Sequence, residues 1–373
     1  MDITMIKRLM AATVCGSALM LAACGESPKE DVATTDSTSD SARNGTCTGT
    51  YPSYWQDPAF QDQWVGQKTS NVPPADWTGP VYQLSDDFPR SPVDDAASQQ
   101  WRDSKFDALF DEGTSQEEKA KLAYDYGWLV MKYIQEGNVN QKDAEDWDVC
   151  NNKVRPWYNI PFQTYDAMSG REFTHGLTRE APVTFSTPQG DKQSTMWAVG
   201  FFNATAAYTL GTVWQADGTA KIPQDDVSFD EGAVIGKPLF NTLSPDVLPV
   251  MENLPSWNAN ISDPTFCSCT PANGKECTLI EESEQCPRST TEWGDVTLLQ
   301  FDFAVKDSRA KGTEWVFGTF VADGQRKADV ADPWQRIALL GVMWGNDTPP
   351  EGQLAYNHPV DVKKNGFKQE VIF

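Results

Sequence analysis

Residues 296–305 read Val296-Thr297-Leu298-Leu299-Gln300-Phe301-Asp302-Phe303-Ala304-Val305. The run combines period-two alternation with nearly continuous apolarity, as a strand with neighbours on both edges would. Shorter runs of the same texture lie on either side of it: Thr184–Ser186, Thr195–Asn203, Gly211–Trp214, Ala233–Phe240, Trp315–Val321 and Ile337–Trp344. Turn residues punctuate them, notably Asp230-Glu231-Gly232 and Ala322-Asp323-Gly324. These strands do not alternate with helices. The expected class is therefore α+β, a largely antiparallel β-rich domain.

Helical patterns precede the strands. Ser98 is placed to cap a segment carrying Trp101, Phe106, Leu109 and Phe110 on one side and stopped by Gly113. Ser115-Gln116-Glu117-Glu118 is a capping box. It opens a helix with Leu122, Tyr126, Leu129, Val130, Tyr133 and Ile134 on one face, closed by Gly137. Their spacing of three and four marks a core face. Further back, residues 47–95 mix aromatic residues with prolines and read as an irregular wrap whose rings cover core. The expected division is 47–154 for wrap and helical region and 155–373 for the β-rich domain, together one compact unit.

The N-terminus reads as an address. Lys7 and Arg8 precede an apolar run from Leu9 to Ala23, too short to span a bilayer. It ends Leu21-Ala22-Ala23-Cys24 and resembles the cleavage motif of bacterial lipoproteins. The resemblance implies that residues 1–23 are a signal peptide and that Cys24 carries lipid. It also implies a bacterial cell envelope, and Gly25 after the cysteine leans toward the outer membrane rather than the inner. Residues 24–46 are the lipidated cysteine and an acidic, Ser/Thr-rich tether with too little apolar surface to fold.

Six cysteines remain beyond Cys15 and Cys24: Cys47, Cys150, Cys267, Cys269, Cys277 and Cys286. An even count in an exported chain reads as disulfides. Cys267 and Cys269 are too close to pair comfortably, so each takes Cys277 or Cys286 within the Cys-rich loop 267–286. Cys47 and Cys150 are then left for each other. Their spacing lacks the paired C-x2-C knuckles of zinc and iron–sulfur sites, so no metal is expected.

Charge and histidine count narrow the chemistry. With 53 acidic against 30 basic residues and a net charge of −23, the chain is unsuited to nucleic acid. Two histidines make a three-histidine zinc site impossible. The G-x-S-x-G elbow, the phosphate-binding loop and the dinucleotide fingerprint are all absent. The densest titratable cluster is Arg171, Glu172, His175, Arg179 and Glu180. On a helix, Arg171, His175 and Arg179 would share a face able to hold an anion, although Gly170 and Gly176 favour a loop. His358 precedes Pro359 in a segment near the C-terminus and is the other histidine available to such a candidate ligand site.

Phe229-Asp230-Glu231-Gly232-Ala233-Val234-Ile235-Gly236-Lys237, then Val305-Lys306-Asp307 and Trp315-Val316-Phe317-Gly318, resemble an ordered set of segments in cytochrome P-460-like proteins. The likeness covers about residues 229–320. It implies an extracytoplasmic β-rich fold and oxidation of small nitrogen compounds at haem. Lys237 or Lys306 would correspond to the haem-crosslinking lysine of that family. The family's C-x-x-C-H haem anchor is absent from this sequence.

Three readings follow. The leading one is a lipid-anchored extracytoplasmic protein that binds a small ligand or an envelope protein partner, without a recognisable catalytic constellation and without a cofactor. The second is a cytochrome P-460-like haem or metal redox protein with a noncovalent cofactor, held by His175 or His358. The third is carbohydrate binding or hydrolysis through exposed tryptophans. The lipid reading makes a direct prediction. Cells fed labelled palmitate should incorporate it into the native chain and not into Cys24→Ala, which should accumulate as the longer precursor.

Overall fold

The computed structural model describes residues 87–138, 152–160, 177–187, 189–214, 221, 223, 227–258, 295–311, 313–344 and 370–372. Backbone is described from Asp87 onward, and all of it falls in the unit Arg43–Phe373. The fold is α+β: a few helices and a large, curled antiparallel sheet.

The main helix follows the capping box. Helix α2 spans Gln116–Gln135, after a single turn α1 at Asp107–Phe110. The Ser115 hydroxyl accepts the Glu118 backbone N–H at 3.3 Å, and Glu117 and Glu118 sit where the helix dipole favours acids. Gly137, at φ +79, follows the helix end. Tyr126, Val130, Tyr133 and Ile134 are buried, as the spacing predicts, with Leu122 and Leu129 partly so. At Gly127 a Cβ would stand 2.8 Å from a Leu339 methyl, which would have to shift to admit a larger residue where α2 meets the sheet.

Among the described residues ten strands make the sheet: β1 Trp157–Tyr158, β2 Thr178–Thr187, β3 Gly190–Ala198, β4 Phe201–Asn203, β5 Val234–Asn241, β6 Ser256–Asn258, β7 Asp295–Lys306, β8 Trp315–Ala322, β9 Ile337–Trp344 and β10 Glu370–Ile372. The quoted run is β7, and it is central. It bonds to β5 along one edge and to β8 and β6 along the other. The main path runs β1-β4-β5-β7-β8-β9-β10, with β2 joined through β3. Every pairing is antiparallel.

Three local expectations change. The run Thr195–Asn203 is two strands, broken at Val199-Gly200, both lying against β5. Gly211–Trp214 is not a strand: helix α3 occupies Ala204–Val213. Asn203 ends β4 and caps this helix by accepting the Ala206 N–H at 3.0 Å. Ala206, Ala207 and Leu210 then pack with Phe88, Tyr158 and Phe202, and that burial overrides the β-propensity of Thr212 and Val213. Finally, no continuous helix follows Ser98. Three 3-10 turns at Ala96–Ser98, Gln100–Arg102 and Ser104–Phe106 lead into α1. The Asp103 carboxylate accepts the Lys105 N–H at 2.8 Å and restarts the chain there, so Asp103 is the capping residue.

The helical layer is locked to the sheet by buried polar groups. Asp307, directly after β7, has no exposed area. Its carboxylate accepts the Tyr126 hydroxyl at 2.9 Å and two Arg309 N–H groups at 2.9 and 2.8 Å. Arg309 also donates to the carbonyls of Trp101 and Asp103 and to the Asp107 carboxylate. Burial, then the Asp307 charge, raises the Tyr126 pKa, so the phenol stays a donor. A second node gathers on Gly232, at φ +85, whose carbonyl accepts from Gln99 and Asn203. A Cβ there would meet Gln99 Oε1 at 2.3 Å. Asp307→Ala leaves the buried Tyr126 hydroxyl and two N–H groups of the part-buried Arg309 without their acceptor and should lower the unfolding free energy by about 3–5 kcal/mol. Tyr126→Phe should cost about 1 kcal/mol. Urea denaturation of both variants checks the ranking.

Candidate functional site

Alternation along β7 sends Phe301, Phe303 and Val305 into the main core. Gln300, Asp302, Ala304 and Lys306 fall on the opposite face, where Asp302, Ala304 and Lys306 are half-buried. Register then assembles a polar group in the middle of that face. Lys237 of β5 lies opposite Asp302 on one side, and Thr319 of β8 lies opposite it on the other. The Asp302 carboxylate accepts Gln300 Nε2 at 2.7 and 2.9 Å and Thr319 Oγ1 at 2.8 Å. Lys237 Nζ pairs with Glu180 Oε1 at 2.9 Å. Glu180 belongs to β2, where the pairing register shifts between Arg179 and Pro182. Such irregularities re-aim side chains, and this one falls where Glu180 meets Lys237.

Burial raises the Asp302 pKa above the usual carboxylate value. The bonds from Gln300 and Thr319 and the Lys237 charge pull it back, while Glu180 pushes it up; burial prevails.

Beside this group runs an aromatic strip. Phe317 of β8 is 40% exposed, an unusual position for a large ring in a sheet. It stacks on Trp315 at 6.4 Å and 26°, and Phe229 meets Trp315 edge-on at 5.4 Å. Lys306 Nζ lies 6.0 Å from the Trp315 ring centre and pairs with Glu314 at 2.8 Å. A desolvated carboxylate, two ion pairs and an accessible aromatic surface thus share one sheet face. Such a surface can hold a molecule with an apolar body and a polar or charged end.

Of the clustered residues, Arg179 and Glu180 are described, and Glu180 pairs with Lys237 on this face. Arg179 lies in β2 opposite Trp197, in extended backbone and not on a helix. Arg171, Glu172, His175, His358, Cys24, Cys47, Cys150, Cys267, Cys269, Cys277 and Cys286 lie outside the described residues. The two lysines singled out by the P-460 resemblance, Lys237 and Lys306, both fall on the face just described. Asp302 was not singled out, yet it is the sole acid inside the ten-residue apolar run, at a polar beat of its alternation.

Among the described residues no group of three His, Cys, Asp or Glu side chains is arranged to hold a metal. No described helix is long and apolar enough to cross a membrane. No protein-family model matches the chain, and no curated protein or solved structure matches it.

The Asp302 environment sets a pH dependence. With its pKa raised on folding, the folded chain binds more protons between the unfolded and folded values, and stability falls as pH rises through that window. Asp302→Asn removes this penalty. Chemical denaturation should find the variant more stable than the parent at neutral pH, with the gap closing as pH falls toward the ordinary carboxylate pKa. A variant less stable at neutral pH would contradict the assignment.

Proposed function

We propose that this chain is a lipid-anchored, extracytoplasmic binding protein of the bacterial envelope that holds a small ligand on the β5–β7–β8 face. The observation carrying the proposal is the Asp302 carboxylate, kept in the sheet centre at a desolvation cost and flanked by the Lys237–Glu180 pair and the exposed Phe317 ring. Burying a carboxylate there adds little to stability, so its placement is better explained by recognition. The ligand is amphipathic: its flat or apolar part lies along Phe317 and Trp315, and its polar end reaches Asp302 and Lys237. The 25–46 tether after Cys24, fully extended, would reach about 70 Å, at ~3.3 Å per residue. The outer membrane is the favoured location, and a segment of an envelope protein is the larger-scale version of the same ligand.

The competing reading is haem, favoured by the presence of Lys237 and Lys306 on this one face. An absorbance spectrum of protein purified from native envelopes separates the two, because haem gives a Soret band.

A photo-crosslinking amino acid at position 317 tests the binding reading inside the cell. Irradiation should produce a discrete adduct at 317 and none at position 154, where Val154 is exposed elsewhere on the surface. Absence of any adduct at 317, or equal adducts at both positions, would overturn it.

A further inference from the structure

A second concave surface lies along α2, separate from the residues of the sheet-face site. Lys105, Asp125, Trp128, Leu129, Lys132, Gln135 and Gln335 line a groove of about 490 Å³. That volume is in the range of small-molecule sites, roughly 300–1,000 Å³. Three elements build it: α2, the 3-10 turn holding Lys105, and the 3-10 turn Pro333–Gln335.

Its chemistry differs from the rest of the molecule. In a chain of net charge −23, the groove presents two exposed ammonium groups, Lys105 and Lys132, against one carboxylate, Asp125. A third cation stands at its margin, with Lys327 Nζ 5.4 Å from the Trp128 ring centre. Lys327 is tied down by the Gln335 and Ile337 carbonyls, which hold its charge beside the groove. Trp128 contributes a half-buried indole, backed by Phe320 in an edge contact at 4.7 Å. Gln335 Nε2 donates to Gln135 Oε1 at 2.9 Å, an amide pair that leaves the Gln335 side-chain oxygen without a partner among the described residues.

We propose that the α2 groove binds an acidic oligosaccharide, a chain of uronate-type sugars, through Lys105 and Lys132 on its carboxylates and Trp128, Gln335 and Asp125 on its rings and hydroxyls. Charge complementarity selects the anion. Trp128 selects the sugar, because an indole beside polar groups suits the apolar face of a pyranose ring. Hydroxyl groups on that ring can donate to Asp125 and to the Gln335 oxygen.

Isothermal titration of the detergent-solubilised full chain with tetragalacturonate tests this, with maltotetraose and a tetra-aspartate peptide as comparisons. Tetragalacturonate should bind saturably, with affinity falling as NaCl is raised. The pair Lys105→Gln and Lys132→Gln, both exposed and away from the core, should weaken it by about tenfold or more. Trp128→Phe should retain the fold by circular dichroism and lose the fluorescence change that tetragalacturonate induces. Absence of saturable binding would overturn the proposal. So would equal binding of either comparison ligand, or unchanged affinity in the double lysine variant.

Discussion

The Asp307 carboxylate holds the architecture together. A fully buried charge is tolerated only when it is paired and hydrogen-bonded, and Asp307 meets that condition through Tyr126 and Arg309. The two partners come from different places: Tyr126 from α2, Arg309 from the loop between β7 and β8. Arg309 then reaches the carbonyls of Trp101 and Asp103, so the irregular turns before α1 are fastened to the same point. Moving α2 off the sheet would expose or orphan all of these groups together. The helical layer therefore has one permitted seat.

That seat decides which half of each strand is available to other molecules. Because β7 alternates from Phe301 to Asp307, placing Phe301, Phe303 and Val305 in the core that α2 also joins commits Asp302, Ala304 and Lys306 to the other side. Neighbouring strands follow the same phase, which brings Lys237 and Thr319 to Asp302 and leaves Phe317 exposed. The polar group on this face is thus a consequence of register. Its desolvation is the observation on which the proposed binding role rests.

Much of this was legible in the residues, for physical reasons that differ from place to place. The central strand, the antiparallel class and the face of α2 follow from periodicity, which burial enforces directly. Gly232 declares its turn because the backbone there takes φ +85, which glycine adopts without strain. Helix α3 was hidden, since Gly211–Trp214 has strand-like composition and the helix depends on Asn203 and on packing against Phe88 and Tyr158. The site was half legible. Asp302 stands out as an acid in an apolar run, but Gln300, Thr319 and Glu180 join it only through pairing across strands far apart in sequence. Of the Arg171–Glu180 cluster, Arg179 and Glu180 fall in β2, and the pairing of Glu180 with Lys237 could not be read from proximity along the chain.

Hydroxyl-radical footprinting of the full chain, in intact cells and again after purification and removal of bound small molecules, tests the central claim most directly. If the core owns one sheet face and a ligand the other, Phe317 and Trp315 will be protected in the cell and oxidised in the stripped protein. Phe303 and Phe320 will be silent in both. Equal oxidation of Phe317 in the two states, or labelling of Phe303 to the level of Phe317, would contradict the account.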